Sequence, residues 1–361
     1  MFDACIIGGG IVGCAVAREL IQRGLSVSLV EKHPSVCKET SGLNSRVIHS
    51  GFHEAYGSLK AKLAFEGSQQ IIQYAAQRGI PLLRTGMLIA IPHGSISGGL
   101  WREADGLWNL WRQGRRQSIP FQFMITPAGV RKIAPVVALA GIFIPSVGVI
   151  DLEAFADRLV EDAKAAGAQF MFDSEVRGIV VGTADHLVQT TAGEVRARAL
   201  INSAGLRAHE ISVMAGGPRY EIEFIRGDYY ELIGGISRWK IETLVYPAMP
   251  RHSRSKGIHF GPRTDGRLFL GPSAMAVSQE PAKKLFLDAA RRFVPEVRDE
   301  DLRWAYAGIR PKHATGSSDF TIRLDRSAPP LLNLIGIDSP GLSASMGIAR
   351  HVAEIVLANS K

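Results

Sequence analysis

Three glycines and one acid near the start of the chain carry the clearest chemistry in its sequence. Gly8, Gly10 and Gly13 stand in a Gly-x-Gly-x-x-Gly pattern, and Glu31 follows 18 residues after the last of them. A turn of this kind brings backbone N–H groups close to a pyrophosphate, and a carboxylate at that spacing accepts hydrogen bonds from ribose hydroxyls. The pair suits a dinucleotide with a free 2′-hydroxyl, FAD or NAD, rather than one with a 2′-phosphate. The elements that must hold these residues are legible beside them. Residues 2–7 form an apolar run of the buried-strand kind, 15–23 read as a helix that Gly24 ends, and 26–30 form a second strand closing on Glu31. The helix N-terminus then offers unpaired N–H groups and a positive dipole end to phosphates.

Composition narrows the class. The chain has 361 residues, 46% of them hydrophobic, enough for two domains of ordinary globular character. Its three cysteines, Cys5, Cys14 and Cys37, form no CxxC pair and no metal pattern, so the expectation is a reducing compartment without disulfides or a bound metal. A structural strand from Phe2 leaves no room for a signal peptide, and the most apolar long run, 136–150, contains Pro145 and is too short to span a bilayer. The sequence therefore predicts a cytoplasmic protein, soluble or in peripheral contact with the inner face of a membrane. The net charge of +8 gathers at Arg112, Arg115 and Arg116, at Arg251, Arg254 and Lys256, and at Lys283, Lys284, Arg291 and Arg292. Only Trp101, Trp108 and Trp111 approach the aromatic platforms that nucleic-acid binding would want, so no nucleic-acid partner is expected. A solvated basic face is the first reading, with an anionic membrane surface or an acidic substrate as the others.

Further along, 58–79 is an amphipathic helix that Gly79 ends, 85–91 a strand, and 94–122 a Trp- and Arg-rich helical segment. A strand is expected at 141–149 and a helix at 151–166, with Asp151 as its N-cap. Short strands follow at 169–173, 176–181, 187–190 and 195–202, the last ending in Asn202-Ser203-Ala204-Gly205, a turn able to abut a cofactor. Residues 220–233 and 258–270 read as sheet with a turn at Asp265-Gly266, 280–294 as helix, 332–337 as strand and 344–357 as the final helix. A turn and loop are expected from Ala307 through Gly316-Ser317-Ser318. The fold class is α/β (α+β overall), a Rossmann-type domain with an interleaved, mostly antiparallel substrate-binding sheet. The first domain takes 1–80, 151–218 and 304–361; the second takes 81–150 and 219–303.

At Ser41 to Leu63 the sequence takes on a family likeness. Ser41-Gly42-Leu43-Asn44-Ser45-Arg46-Val47-Ile48-His49-Ser50-Gly51, followed by Gly57-Ser58-Leu59-Lys60-Ala61-Lys62-Leu63, closely resembles the L-2-hydroxyglutarate dehydrogenase/oxidase branch of the FAD-dependent D-amino-acid-oxidase-like family. Arg226-Gly227-Asp228-Tyr229-Tyr230, Gly257-Ile258-His259-Phe260, Gly271-Pro272-Ser273, Ala307-Gly308-Ile309-Arg310-Pro311-Lys312 and Gly336-Ile337-Asp338-Ser339-Pro340-Gly341-Leu342 agree with it. The likeness spans essentially the whole chain. It departs at Ser273, where Asn would be expected, at Arg310 before Pro311 in place of Ala, and in a shorter stretch between Ser273 and Asp301. These features match a compact subgroup of the branch.

The resemblance implies non-covalent FAD held through Gly8, Gly10, Gly13, Glu31, Lys32, Ser41, Ser45, Val176, Gly205, Gly341 and Leu342. Val176 would meet the adenine region through its backbone. Gly341 and Leu342 would turn helix N–H groups toward the flavin N1–C2=O edge, where negative charge gathers. It also implies oxidation of an L-2-hydroxy acid, L-2-hydroxyglutarate to 2-oxoglutarate first, by hydride transfer to the flavin. Such a reaction needs a cation for the carboxylate, a base for the hydroxyl proton and a Cα–H facing the flavin. Arg310 is the first choice of anchor because its planar fork matches a carboxylate. Arg226 and Lys312 compete as a second anchor. His49 and His259 compete as the base, with His49 able instead to order the flavin ring. Tyr229 and Tyr230 alternate on one strand, so only one can face the site. The electron acceptor, oxygen, a quinone or a carrier protein, is left open. Oxidation of an amino acid or secondary amine is the runner-up, and a flavin-binding sensor without turnover is the more remote reading.

Overall fold

The structure is a computed structural model that describes residues 1–93, 99–251, 253, 255–279, 282–314 and 318–359. Gly94, Arg254, Glu280, Gly316 and Ser317, on which parts of the sequence reading fall, lie outside the described residues. Among the described residues the chain forms two large sheets and a small one.

Phe2–Ile7 lies inside the first sheet, parallel to Gly193–Asn202 on one side and Val27–Val30 on the other. Its position between two parallel neighbours explains its composition: Ala4, Cys5 and Ile6 are wholly buried. Gln169–Met171 continues the sheet beyond Val27–Val30; Pro330–Ile335 pairs parallel to Gly193–Asn202 and carries Thr321–Ser327 as a hairpin. The helix Ile11–Gln22 begins at once after the glycine turn and packs with the last helix, Gly341–Ala358, which in turn packs on Leu59–Arg78. These last two helices meet backbone to backbone. A Cβ on Gly67 would stand 2.4 Å from the Ser343 carbonyl oxygen, and one on Gly347 would stand 2.7 Å from that of Leu63. Ser58 caps the helix Leu59–Arg78, its hydroxyl accepting from the Ala61 N–H, and Gly79 ends it in the left-handed region.

The second sheet is nine-stranded and largely antiparallel. It runs from Ile222–Leu232 through Leu268–Gly271, His259–Pro262, Leu244–Pro247 and Met87–Pro92 to Ala138–Ile144, with short strands at its ends. One face buries Tyr230, Phe260, Phe286 and Phe293; the other joins Phe52, Leu107 and Tyr246 in a separate cluster under the helix Leu100–Gln117. The small sheet, Val47–Ile48, Leu82–Leu83 and Gly148–Ile150, links the two halves. No helix among the described residues is long and apolar enough to cross a membrane.

The structure differs from the sequence reading at several points. The first helix starts at Ile11 and the last at Gly341, each earlier than its apolar periodicity suggests, because the leading turns are glycine-bearing. The strand expected at 141–149 is two, Ala138–Ile144 and Gly148–Ile150. The segment containing Arg310 is not a turn. It belongs to a long strand, Leu302–His313, that pairs with Ile222–Leu232 along its whole length, so it sits in the second sheet although it follows the expected boundary at 304. Gly308 and Pro311 suggested a turn; Pro311 is accommodated because Ile222–Leu232 is this strand's only ladder partner among the described residues, the edge position that proline tolerates.

Candidate active site

A cavity of about 820 Å³ opens between the two large sheets. At one end lies the glycine turn. Gly8 has φ +107°, and a Cβ there would stand 2.6 Å from the Ser203 carbonyl oxygen. A Cβ on Gly13 would stand 2.0 Å from the Gly8 carbonyl oxygen, so helix and strand touch only because Gly13 has no side chain. Glu31 is buried, and its two carboxylate oxygens accept from the Gly9 N–H at 2.6 Å and the His33 N–H at 2.8 Å. Ser41 reaches the first turn of the first helix, its hydroxyl accepting from the Ile11 N–H at 3.0 Å. Ser45 and Gly205 also line the cavity. Lys32 instead pairs with Glu39 at 2.6 Å, and the Val176 side chain packs in the core beside the first sheet.

Gly341 and Leu342 line the cavity where the last helix begins. The next residue, Ser343, ties this end to His49: its hydroxyl accepts from the His49 backbone N–H at 2.8 Å and donates to the Val47 carbonyl at 3.2 Å. The His49 ring is buried and lines the cavity, with no partner on Nδ1. His259 is buried too, its ring stacked on Tyr246 at 3.8 Å and 12°, and its Nδ1 also has no partner. Burial pushes both rings below their ordinary range, helped for His49 by Lys256 nearby; His259 is pushed down to about 3. Both are therefore neutral imidazoles at pH 7, each with a ring-nitrogen lone pair that can accept a hydrogen bond.

Arg310 lines the same cavity. One guanidinium nitrogen donates to the Ser273 carbonyl at 2.8 Å, and its buried Nε has no partner among the described residues. Lys312, on the same strand, lies 3.8 Å from Asp338, which also holds Lys60 at 2.6 Å. Arg226 is turned elsewhere. Its guanidinium grips the fully buried Asp228 at 2.9 and 3.1 Å, an i, i+2 pair on one face of a strand. Tyr229 lines the cavity with its ring stacked on Tyr306 at 4.6 Å, whereas Tyr230 packs on Phe286 in the core. The alternation along the strand separates the two tyrosines as its period requires.

Other residues at the site gave no sequence signal. Arg263 is buried; it donates to the Ser45 and Asn44 carbonyls and to the Tyr306 hydroxyl, and Tyr306 donates to the Asn44 carbonyl at 2.9 Å. Burial pulls this guanidinium's pKa down. Its work is to hold the Asn44-Ser45 backbone. His53 lies 6.3 Å from the His49 ring, and Lys256, salt-bridged to Glu54 at 2.7 Å, lines the opening. The model of the FAD-dependent oxidoreductase family matches residues 3–355 of the chain.

The chain belongs to that family.

Relatives within reach of it differ in what they act on. The L-2-hydroxyglutarate dehydrogenase of Indibacter alkaliphilus is 28% identical over 406 residues, covering 99% of both chains. The human mitochondrial L-2-hydroxyglutarate dehydrogenase is 32% identical over 290 residues, 76% of this chain and 61% of its own. The glycerol 3-phosphate dehydrogenase of Caloramator mitchellensis is 28% identical, over 99% of this chain and 74% of its own. Among solved structures, the FAD-bound L-alpha-glycerophosphate oxidase of Mycoplasma pneumoniae superposes with a TM-score of 0.89 at 27% identity, covering 99% of this chain and 94% of its own. The protein is thus an FAD-dependent oxidoreductase of mixed α/β fold, acting on a small molecule.

The residues present fit such a cofactor in this family. The bare faces of Gly8 and Gly10, the buried Glu31 carboxylate, the left-handed Gly205 and the N-terminus of an 18-residue helix at Gly341 all border one continuous cavity. Gly8 to Ser41 would hold the dinucleotide portion and Gly341 to Ser343 the flavin edge.

Proposed function

We propose that the protein oxidises an L-2-hydroxy acid, L-2-hydroxyglutarate to 2-oxoglutarate first. The observation that carries this reading is the Arg310 guanidinium facing the same cavity as two buried, neutral imidazoles, with polar atoms of all three lacking a partner. Buried polar groups without partners are rare and costly, and a ligand with a carboxylate and a hydroxyl would satisfy both kinds here. Bound FAD supplies the two-electron acceptor for the Cα hydrogen. Arg310 holds the substrate carboxylate, the Ser273 carbonyl fixing one arm of its fork while the rest stays available. His49 accepts the hydroxyl proton. Its backbone is pinned to Ser343 at the start of the last helix, which supports a place for the ring at the flavin end of the cavity, whereas the His259 ring lies stacked on Tyr246. Tyr229 and Tyr246, both buried, line this cavity. The identity of the relatives that act on L-2-hydroxyglutarate supports the same substrate.

The test is anaerobic bleaching of the bound flavin by a panel: L- and D-2-hydroxyglutarate, L-lactate, glycerol 3-phosphate, glycine and L-proline. Rapid bleaching by L-2-hydroxyglutarate and none by its D-isomer is the expected result. Bleaching by glycerol 3-phosphate or an amino acid alone would replace the substrate, and bleaching by none would leave a flavin-binding protein without turnover.

A further inference from the structure

Two of the three cysteines converge on a single backbone atom of the nucleotide turn. Cys14, in the first turn of the helix Ile11–Gln22, has its Sγ 3.6 Å from the Gly9 carbonyl oxygen. Cys37, six residues past Glu31, donates its backbone N–H to the same oxygen at 2.9 Å. The Cys37 side chain packs against the buried cluster that contains Cys14. Cys37 is half-buried, lines the cavity and has φ 60°, a left-handed backbone that a non-glycine residue holds only at some cost. Cys14 is wholly buried.

We propose that Cys14 and Cys37 are a redox-active pair that closes to a disulfide under hydrogen peroxide and so tethers the segment after Glu31 to the first helix. With Cys14 Sγ 3.6 Å and the Cys37 backbone nitrogen 2.9 Å from one carbonyl oxygen, the two residues lie close enough for a side-chain rotation to bring the sulfurs toward the bond length of about 2.05 Å. The order of events follows from access. Cys37 faces the cavity and reacts first: its thiolate sulfur attacks one peroxide oxygen, the O–O bond breaks, and the released hydroxide takes the thiol's proton to become water. This leaves a sulfenic acid on Cys37. The Cys14 sulfur then displaces the sulfenic hydroxyl; the S–S bond forms, the S–O bond breaks, and the Cys14 proton leaves in a second water. Two thiols give up two electrons and the peroxide takes them. The contact with Cys37, and after it burial, pushes the Cys14 thiol pKa well up, so Cys14 stays protonated at rest. Cys5 sits in the central strand with no exposure and stays out of the exchange.

The consequence lies at the dinucleotide. The segment from Cys37 leads directly to Thr40 and Ser41, which line the cavity, and Ser41 bonds the first helix. A bridge to Cys14 fixes both walls of that end together. The proposal is independent of the substrate reading. The FAD-loaded protein is treated with hydrogen peroxide, denatured, and titrated for thiols; the count falls from three to one, and peptide mapping without reductant finds Cys14 linked to Cys37. Dithiothreitol restores all three thiols, and the oxidised form releases FAD more slowly on dilution than the reduced form. Cys37→Ser keeps both remaining thiols under the same treatment. An oxidised Cys37 with no link to Cys14, an unchanged thiol count, a bridge that includes Cys5, or equal FAD release from the two forms would overturn it.

Discussion

The two ends of the cavity are built on opposite principles. At the nucleotide end Glu31 and Ser41 are partnered within the chain: Glu31 is satisfied by Gly9 and His33, and Ser41 by Ile11. Space there is made by removing atoms, at Gly8 and Gly13. At the other end space is walled by large side chains, and His49, His259 and Arg310 each keep a buried polar atom without a partner. A generic ligand portion can be held by backbone and shape, whereas the reacting portion needs side chains kept ready for groups the chain does not supply.

The sharpest way to break this contrast is at Gly13. Gly13→Val places a branched side chain where even a Cβ would stand 2.0 Å from the Gly8 carbonyl oxygen, so flavin should be absent from the purified variant. Full flavin occupancy, read from the visible spectrum, would show that the turn does not hold the cofactor. Next comes the other end. Arg310→Met should lower kcat/KM by roughly 30- to 4,000-fold, the loss of about 2–5 kcal/mol in charge-assisted contact, with flavin content and melting temperature nearly unchanged. Arg310→Lys should recover only part of that, since an ammonium lacks the planar fork. A kinetic loss wholly explained by lost flavin or unfolding would return Arg310 to a structural role.

His49→Asn should cost about 100- to 10,000-fold in flavin reduction if the ring accepts the hydroxyl proton, and His259→Asn distinctly less. The reverse order in a stopped-flow comparison would exchange the two roles. Protonation supplies a milder probe. His259 has its folded pKa pushed down to about 3, while an unfolded histidine titrates near 6.5, so the unfolded chain binds more protons between those values. The stability this ring contributes is present above about pH 6.5 and is lost as pH falls toward about 3. Melting temperature should decline over that window, and His259→Asn should flatten the decline; an unchanged slope would contradict the burial of a neutral ring. The smallest effect is expected at Lys32, whose half-exposed pair with Glu39 is a surface contact. Lys32→Ala should weaken FAD binding by less than about fivefold, within the roughly 1 kcal/mol of an exposed ion pair.

What the sequence disclosed follows the same division. The glycine turn, the strand closing on Glu31, the Asp151 cap and the helix end at Gly79 were legible because each is a local rule with a residue signature. The partner of Arg226 was not read, although Asp228 stands two residues away on the same strand face, because the motif containing both suggested a substrate site. Arg263 could not be read at all. Nothing local distinguishes it from a surface arginine; its burial comes from the Asn44-Ser45 backbone and Tyr306 meeting it from distant parts of the chain. The long strand Leu302–His313 was obscured by Gly308 and Pro311, whose tolerance depends on which neighbours the strand has.

That strand also acts as a ruler. A Cβ on Gly308 would stand 2.1 Å from the Leu43 carbonyl oxygen, so the strand rests at this residue on the loop that carries Asn44 and Ser45. Arg310 is two residues on, about 6.6 Å along an extended backbone. With Arg310 as the anchor, the distance from the cofactor loop to the carboxylate is one β repeat. It cannot be adjusted in small steps, because sliding the strand by a single residue would turn Arg310 to the opposite face of the sheet. On that reading, substrates would vary at the end remote from the carboxylate, while the separation between the carboxylate and the carbon being oxidised would stay fixed.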